Sequence, residues 1–410
     1  MHPNLEVLSP AGNQKSLAAA LQYGADAVYL AGKTFGMRAK ATNFTLEQME
    51  QALTSAHELG KKVYVTCNIL PTNPEVGQLK EYLGQLEDIG VDALIVADIG
   101  VMMAAKRMTP NLDLHVSTQA GVVNYLTATE LFHLGAKRVV LARELGLPAI
   151  AEIRENTPAE LELEAFVHGS MCMAFSGRCL ISHYLTGRDA NHGDCAQSCR
   201  WKYHLVEEKR PGEYYPIVED ETGSYIFNAN DLCMLEYLDQ VIASGINSLK
   251  IEGRGKSAYY VAVTTNAYKT ALELYKQDST NFSLPEWLRA EPYKISHRKY
   301  STGFYFGAQN AVQDTLFGNY YQSWKVAGTV VGHYENRVTI QTKNRFFVGN
   351  EVEFLLPGEE PYRLKVTDLR DQNGEEIPVA RNAMSLVSFH CPQPLPLGVV
   401  VRFDGQAKQH

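Results

Sequence analysis

The chain is poor in several features that would fix its class at once. The opening residues Met1-His2-Pro3-Asn4-Leu5-Glu6 have neither a basic stretch nor an apolar core, so no signal peptide is expected. The most apolar run, from Ala93 to Ala105, is interrupted by Asp98 and falls short of the ~18 apolar residues that a membrane-spanning helix requires. No segment is of low complexity, and charge runs do not exceed those of a solvated surface. H-E-x-x-H, G-x-S-x-G and Walker-type loops are absent, which removes the common signatures of metalloprotease, serine hydrolase and nucleotide-phosphate chemistry. No G-x-G-x-x-G follows the first apolar run, and no C-x2-C knuckle occurs anywhere. An acidic balance, formal net charge −8, argues against a general nucleic-acid coat protein while permitting a local basic patch.

With 45% hydrophobic and 20% charged residues, the 410-residue chain is expected to be globular, cytoplasmic and built from more than one unit. One junction recurs five times: a helical pattern, a glycine, two residues, then an apolar β-rich run. It occurs at Gly24, Gly60, Gly90, Gly135 and Gly245, leading into Ala27-Val28-Tyr29-Leu30, Val63-Tyr64-Val65, Ala93-Leu94-Ile95-Val96, Arg138-Val139-Val140-Leu141 and Ser248-Leu249-Lys250-Ile251. Glycine there can take the left-handed conformation that ends a helix. The run after it reads as a strand buried on both faces. Between Thr45 and Gly60 a T-x-x-Q capping box precedes Leu46, Met49, Leu53 and Ala56 at helical spacing.

Further strands near Leu5–Ser9, Leu112–Ser117 and Leu161–Val167 bring the total to eight, which predicts a (β/α)8 TIM-like barrel over residues 1–278, with a doubly wound sheet as the alternative. A cysteine-rich insertion, residues 169–230, follows strand seven. Residues 279–325 are irregular and aromatic and read as a linker, with Lys294, His297, Arg298 and Lys299 close together. Residues 326–410 show short alternating strands, as at Arg337-Val338-Thr339-Ile340-Gln341 and Glu351-Val352-Glu353-Phe354-Leu355, and predict a small antiparallel β-barrel domain.

Four of the seven cysteines fall in the insertion as C-x6-C-x15-C-x3-C: Cys172, Cys179, Cys195 and Cys199. In a reducing compartment such a cluster points to metal rather than to disulfides. Thiolates suit zinc or an iron–sulfur cluster, and the irregular spacing leans toward [4Fe-4S], with zinc as the alternative. Cys233 is a substitute for one of the four, whereas Cys67 and Cys391 read as core. Barrel chemistry uses the C-terminal strand ends. Those ends nominate His168, Glu252, Arg254 and Glu144 as catalytic candidates, and Asn68, Gln119, Arg143 and the loop residue Arg38 as substrate-binding candidates, with Glu6 and Asp98 placed on the same face. Arginines there would suit a carboxylate-bearing substrate.

Several stretches resemble the collagenase-like peptidase family U32: Glu164-Ala165-Phe166-Val167-His168-Gly169-Ser170-Met171-Cys172, Ser176-Gly177-Arg178-Cys179-Leu180-Ile181-Ser182, Leu8-Ser9-Pro10-Ala11-Gly12, Tyr23-Gly24-Ala25-Asp26-Ala27-Val28-Tyr29 and Ser248-Leu249-Lys250-Ile251-Glu252-Gly253-Arg254. Gly193-Asp194-Cys195 through Cys199-Arg200-Trp201 is similar to the branch of tRNA 5-hydroxyuridine modification proteins. The resemblance implies oxygen-independent hydroxylation of the wobble uridine of tRNA, with prephenate, a small dicarboxylate, as cosubstrate. It also implies a [4Fe-4S] cluster on Cys172, Cys179, Cys195 and Cys199. Peptidase activity, from the family's label, is the alternative. Phosphate contacts would be local, from Arg200, Lys202, Arg298, Lys299 and the β domain. No membrane partner is implied, and a homo- or hetero-oligomeric state stays open.

Overall fold

The computed structural model describes residues 5–36, 43–171, 181–188, 194–198, 230–307 and 320–405. The chain divides into two compact units. One holds the first ten strands; the other takes Gln22–Gly24, Ser257–His297 and the chain from Tyr321 onward.

Eight parallel strands close into a barrel: β1 (Glu6–Pro10), β2 (Ala27–Ala31), β3 (Lys62–Cys67), β4 (Ala93–Val96), β5 (Asp113–Val116), β6 (Arg138–Val140), β7 (Glu162–Ser170) and β9 (Ser248–Ile251). Closure comes from β9, which pairs with both β7 and β1. The sequence expectation of eight βα units therefore holds, and the doubly wound alternative does not. All five junction glycines have positive φ, between 67° and 108°, where a Cβ would be strained. In the helix Leu46–His57, Thr45 and Gln48 form the reciprocal capping box, and Met49, Ala52, Leu53 and Ala56 are buried.

β7 is nine residues long and outruns the barrel. The short strand β8 (Asp231–Cys233) returns antiparallel beside its end, pairing His168 with Cys233 and Ser170 with Asp231. Parallel to β8 lies β10 (Tyr300–Ser301), which faces Asp231 and Leu232. The ends of the cysteine-rich insertion are thus held together by a ladder on the C-terminal side of the barrel.

The barrel interior has two halves. Leu8, Ala27, Tyr29, Tyr64, Ala93 and Ile95 form an apolar cluster. The other half is ionic. Arg138 binds Glu6 in a short contact, Glu162 at 2.6 Å and Glu164 at 3.0 Å, and Lys250 meets Glu164 at 2.5 Å. Glu6 also accepts from the hydroxyls of Tyr64 at 3.0 Å and Ser248 at 2.8 Å. As the first residue of β1, Glu6 sits at the N-terminal end of the barrel. Its assignment to the mouth is therefore corrected: it serves this buried network.

The second unit carries β11 (Trp324–Tyr334), β12 (Arg337–Thr342), β13 (Phe346–Phe347), β14 (Glu351–Leu355), β15 (Tyr362–Lys365), β16 (Val379–Ala380), β17 (Leu386–His390) and β18 (Val400–Asp404). Six of them form an antiparallel sheet in the order β15-β14-β18-β11-β12-β17 around Val330, Ile340, Phe354, Phe389 and Val401, as the alternating pattern predicts. Within this unit Arg402, fully buried, binds Glu291 at 2.6 Å and Glu353 at 2.8 Å, and Lys294 binds Glu353 at 2.8 Å. Lys294 is therefore an interior ion-pair partner.

Candidate active site at the barrel mouth

The strand ends assemble the mouth from the backbone outward. The turn after β1 ends at Gly12, where an added Cβ would lie 1.8 Å from the carbonyl oxygen of Arg254. No side chain fits there, so the turn after β1 and the turn after β9 meet backbone to backbone. Gly169 does the same on the other side. Its φ is +110°, and a Cβ would come within 2.7 Å of the Glu252 carbonyl oxygen. A register shift between Phe166 and His168 re-aims the end of β7, and the Glu252 amide donates to the His168 carbonyl at 2.9 Å. His168, Glu252 and Arg254, three of the catalytic candidates, are thus brought to one end of the barrel. All three are buried, at 1%, 8% and 8% exposure.

Arg254 reaches across to Thr66 at the end of β3, its Nη1 donating to Oγ1 at 3.3 Å. Arg143, after β6, lies with its guanidinium carbon 3.9 Å from the centre of the Phe166 ring and donates from Nη1 to the Ser170 carbonyl at 2.8 Å. Its Nε is buried with no hydrogen-bond partner among the described residues. A guanidinium stacked on one side and holding donors in reserve is suited to a carboxylate. Glu144 follows it, half-buried. Asn68 and Gln119, two binding candidates, meet one hydroxyl: Asn68 Nδ2 donates to Ser117 Oγ at 3.4 Å, and the backbone N–H of Gln119 donates to the same atom at 3.3 Å. Ser117 was missed in the sequence because a serine at a strand end carries no pattern of its own.

Asp98 lies two residues past the end of β4. It caps the helix Ile99–Met108, accepting from the Val101 amide at 2.9 Å. Lys250 is the residue that sequence reasoning passed over. Its ammonium sits inside the barrel, 4.7 Å from the Tyr29 ring centre and 5.4 Å from that of Phe166. Burial pulls its pKa below that of an ordinary lysine, against the opposing charge of Glu164. Burial pushes Glu164 up, but the cations of Lys250 and Arg138 outweigh it and hold the carboxylate below its usual range. His115 is held well below the ordinary imidazole value, first by burial and then by Arg138 and Lys250, so the barrel centre keeps it neutral.

Arg38, Cys172, Cys179 and Cys199 lie outside the described residues. Cys195 is exposed, and its Sγ accepts a hydrogen bond from the Gln197 amide at 3.3 Å. Arg188 steadies this turn through Asp194 at 2.8 Å and the Cys195 carbonyl at 3.2 Å. Cys233 is half-buried on β8, level with His168. Burial pushes the Cys67 thiol up to about 12, which keeps it an inert core group, and Cys391 is likewise buried with a raised pKa. Among the described residues no group of three or more His, Cys, Asp or Glu could hold a metal ion. Nor is any described helix long and apolar enough to cross a membrane.

Residues 12–315 match the model of Peptidase family U32, and residues 322–402 match that of the Peptidase family U32 C-terminal domain. The chain belongs to peptidase family U32, as the motif resemblance implies. It is 37% identical to tRNA hydroxylation protein P1 of Bacillus subtilis (strain 168), over 94% of this chain and 91% of that protein. Against tRNA hydroxylation protein P of Escherichia coli (strain K12) the identity is 33%, over 99% and 98%. The 23S rRNA 5-hydroxycytidine C2501 synthase of the same organism is 38% identical over 66% of this chain and 39% of that protein.

Proposed function

We propose that this chain is an RNA-modifying enzyme that hydroxylates the wobble uridine of tRNA at C5 without molecular oxygen, taking the hydroxyl from prephenate and depending on a [4Fe-4S] cluster. The observation that carries the reading is near-full-length similarity to two tRNA hydroxylation proteins, joined to a mouth that presents arginines to a small acid. Arg143 and Arg254, with Arg38, anchor the two carboxylates. Asn68 and Gln119 orient the cosubstrate through the Ser117 turn. His168, Glu252 and Glu144 supply the groups that accept the proton leaving C5. Cys172, Cys179, Cys195 and Cys199 are the cluster ligands, with Cys233 as substitute. The amide-to-sulfur hydrogen bond at Cys195 is one of the contacts by which proteins tune cluster thiolates, so this part of the donor set fits the group. A cluster there would supply one-electron chemistry beside the mouth.

Mass spectrometry of tRNA from a deletion strain tests the reading. Loss of 5-hydroxyuridine is expected, restored by the wild-type chain and not by Arg254→Ala; an unchanged level in a strain with no paralogue would overturn it. Anaerobically purified protein is expected to hold iron and acid-labile sulfide, both lost in Cys195→Ala. Zinc without sulfide would instead return the zinc alternative. The peptidase reading rests on the family's name. Ser170 lies on β7 rather than on a strand-to-helix elbow, and intact gelatin after incubation with pure protein would count against it.

A further inference from the structure

Beside the mouth, one exposed aromatic ring is flanked by two cations. Tyr320 is 43% exposed. The Lys256 ammonium lies 5.0 Å from its ring centre and the Arg298 guanidinium carbon 5.1 Å. The two cations are held in different ways. Lys256 is half-exposed and rides on the turn that carries Glu252 and Arg254, its amide donating to the Gly253 carbonyl at 2.8 Å. Arg298 is buried, at 7% exposure, and its amide donates to Asp231 Oδ2 at 3.0 Å, next to the β8–β10 ladder. Both cations lie close to the ring, the ammonium half-exposed and the guanidinium buried. Tyrosine kept half in water by an internal arginine, rather than folded into the core, has apolar area available to a partner.

We propose that Tyr320, Lys256 and Arg298 form a nucleobase platform for single-stranded RNA. Tyr320 stacks on an unpaired base, Lys256 pairs with the adjoining phosphate, and Arg298 is the positioning residue that keeps the ring in place. The inference rests on the RNA reading above and adds to it a specific contact. It also explains how an acidic chain can hold a polyanion, since stacking needs no net positive charge. The shared turn with Glu252 and Arg254 places the stacked base beside the residues assigned to the chemistry. A loop nucleotide splayed from its neighbours fits this arrangement; a continuous duplex, whose bases are stacked on one another, does not.

The test uses the full chain and a fluorescein-labelled RNA hairpin with a uridine-containing single-stranded loop, read by anisotropy. Tyr320→Ala is expected to weaken binding by about ten-fold or more. Tyr320→Phe, which keeps the ring, is expected to bind as wild type. Lys256→Gln is expected to lower the salt slope by about 0.7. Wild-type affinity in Tyr320→Ala would overturn the platform. Should Tyr320→Ala melt at a lower temperature, photo-crosslinking of wild type to a loop carrying 5-bromouridine decides. A crosslinked peptide containing Tyr320 supports the proposal, and crosslinks confined to other peptides overturn it. The two readings fail separately. If wild type restores 5-hydroxyuridine and Tyr320→Ala does so with an unchanged KM for tRNA, only the platform falls. If the deletion strain keeps its 5-hydroxyuridine, the functional reading falls.

Discussion

Glu164 is enclosed in the barrel at 0% exposure, with Lys250 at 2.5 Å and Arg138 at 3.0 Å. A carboxylate that far from water persists only because both cations face it. Its folded pKa lies below that of the unfolded chain, ~4.3 for a free glutamate. The pair therefore contributes stability at pH above that value and loses it as pH falls through the folded pKa. Melting temperature measured between pH 5 and pH 3 is expected to drop more steeply for wild type than for Glu164→Gln. Equal slopes would show that the carboxylate is not ionised in the fold. The Lys250–Glu164 pair was visible in the sequence only as a motif letter, because a lysine inside an apolar strand is indistinguishable from one at a strand end until the barrel closes. Glu6 was put at the mouth although the strand read at Leu5–Ser9 already set it at the N-terminal end, which in a parallel barrel faces away from the mouth. Residues at or just past a strand's C-terminal end, such as His168, Glu252 and Arg254, were placed correctly, since in a parallel barrel every strand delivers that end to one face.

At the level of elements, the antiparallel pairing of β7 and β8 is what turns a barrel into this site. Gly169 lies in it at φ +110°, facing the Glu252 carbonyl. Gly169→Ala would add both a strained backbone and a Cβ 2.8 Å from the Glu252 Cβ, so the strand end must shift. A backbone strain of this kind costs about 1–3 kcal/mol. The expected outcome is a folded chain with a lowered melting temperature and strongly reduced tRNA hydroxylation, because His168 and Glu252 no longer meet in register. Full activity in Gly169→Ala would show that the strand end is free to adapt. The eight barrel strands were legible because each has a helix-ending glycine before it or a buried run within it. β8 and β10 were not, since three- and two-residue strands carry no period to read. Their pairing follows from β7 extending past the barrel and leaving an edge to be covered. The capping box at Thr45 was read from the sequence, while the equivalent pair at Thr72 and Glu75 passed unnoticed, although both place a reciprocal acceptor three residues on.

Across the whole molecule, 46 acidic residues outnumber 38 basic ones, and several of the basic residues are already committed. Arg138, Lys250, Lys294 and Arg402 are buried in ion pairs and cannot reach a phosphate. A protein that coats RNA contacts on the order of 6–10 phosphates and loses affinity steeply with salt. On the platform reading, the grip on RNA comes from a few local contacts and from stacking. Each phosphate contact to a single strand adds about 0.7 to the slope of log affinity against log salt. The expected slope for hairpin RNA is therefore shallower than about −4, measured by anisotropy from low to physiological salt. A slope steeper than about −6 would mean an extended basic surface, and the platform at Tyr320 would then be a minor contact. A shallow slope that Lys256→Gln reduces further, with binding still dependent on an aromatic residue at 320, would place recognition in one small region, where a loop base can be held out of its stack next to the arginines of the mouth.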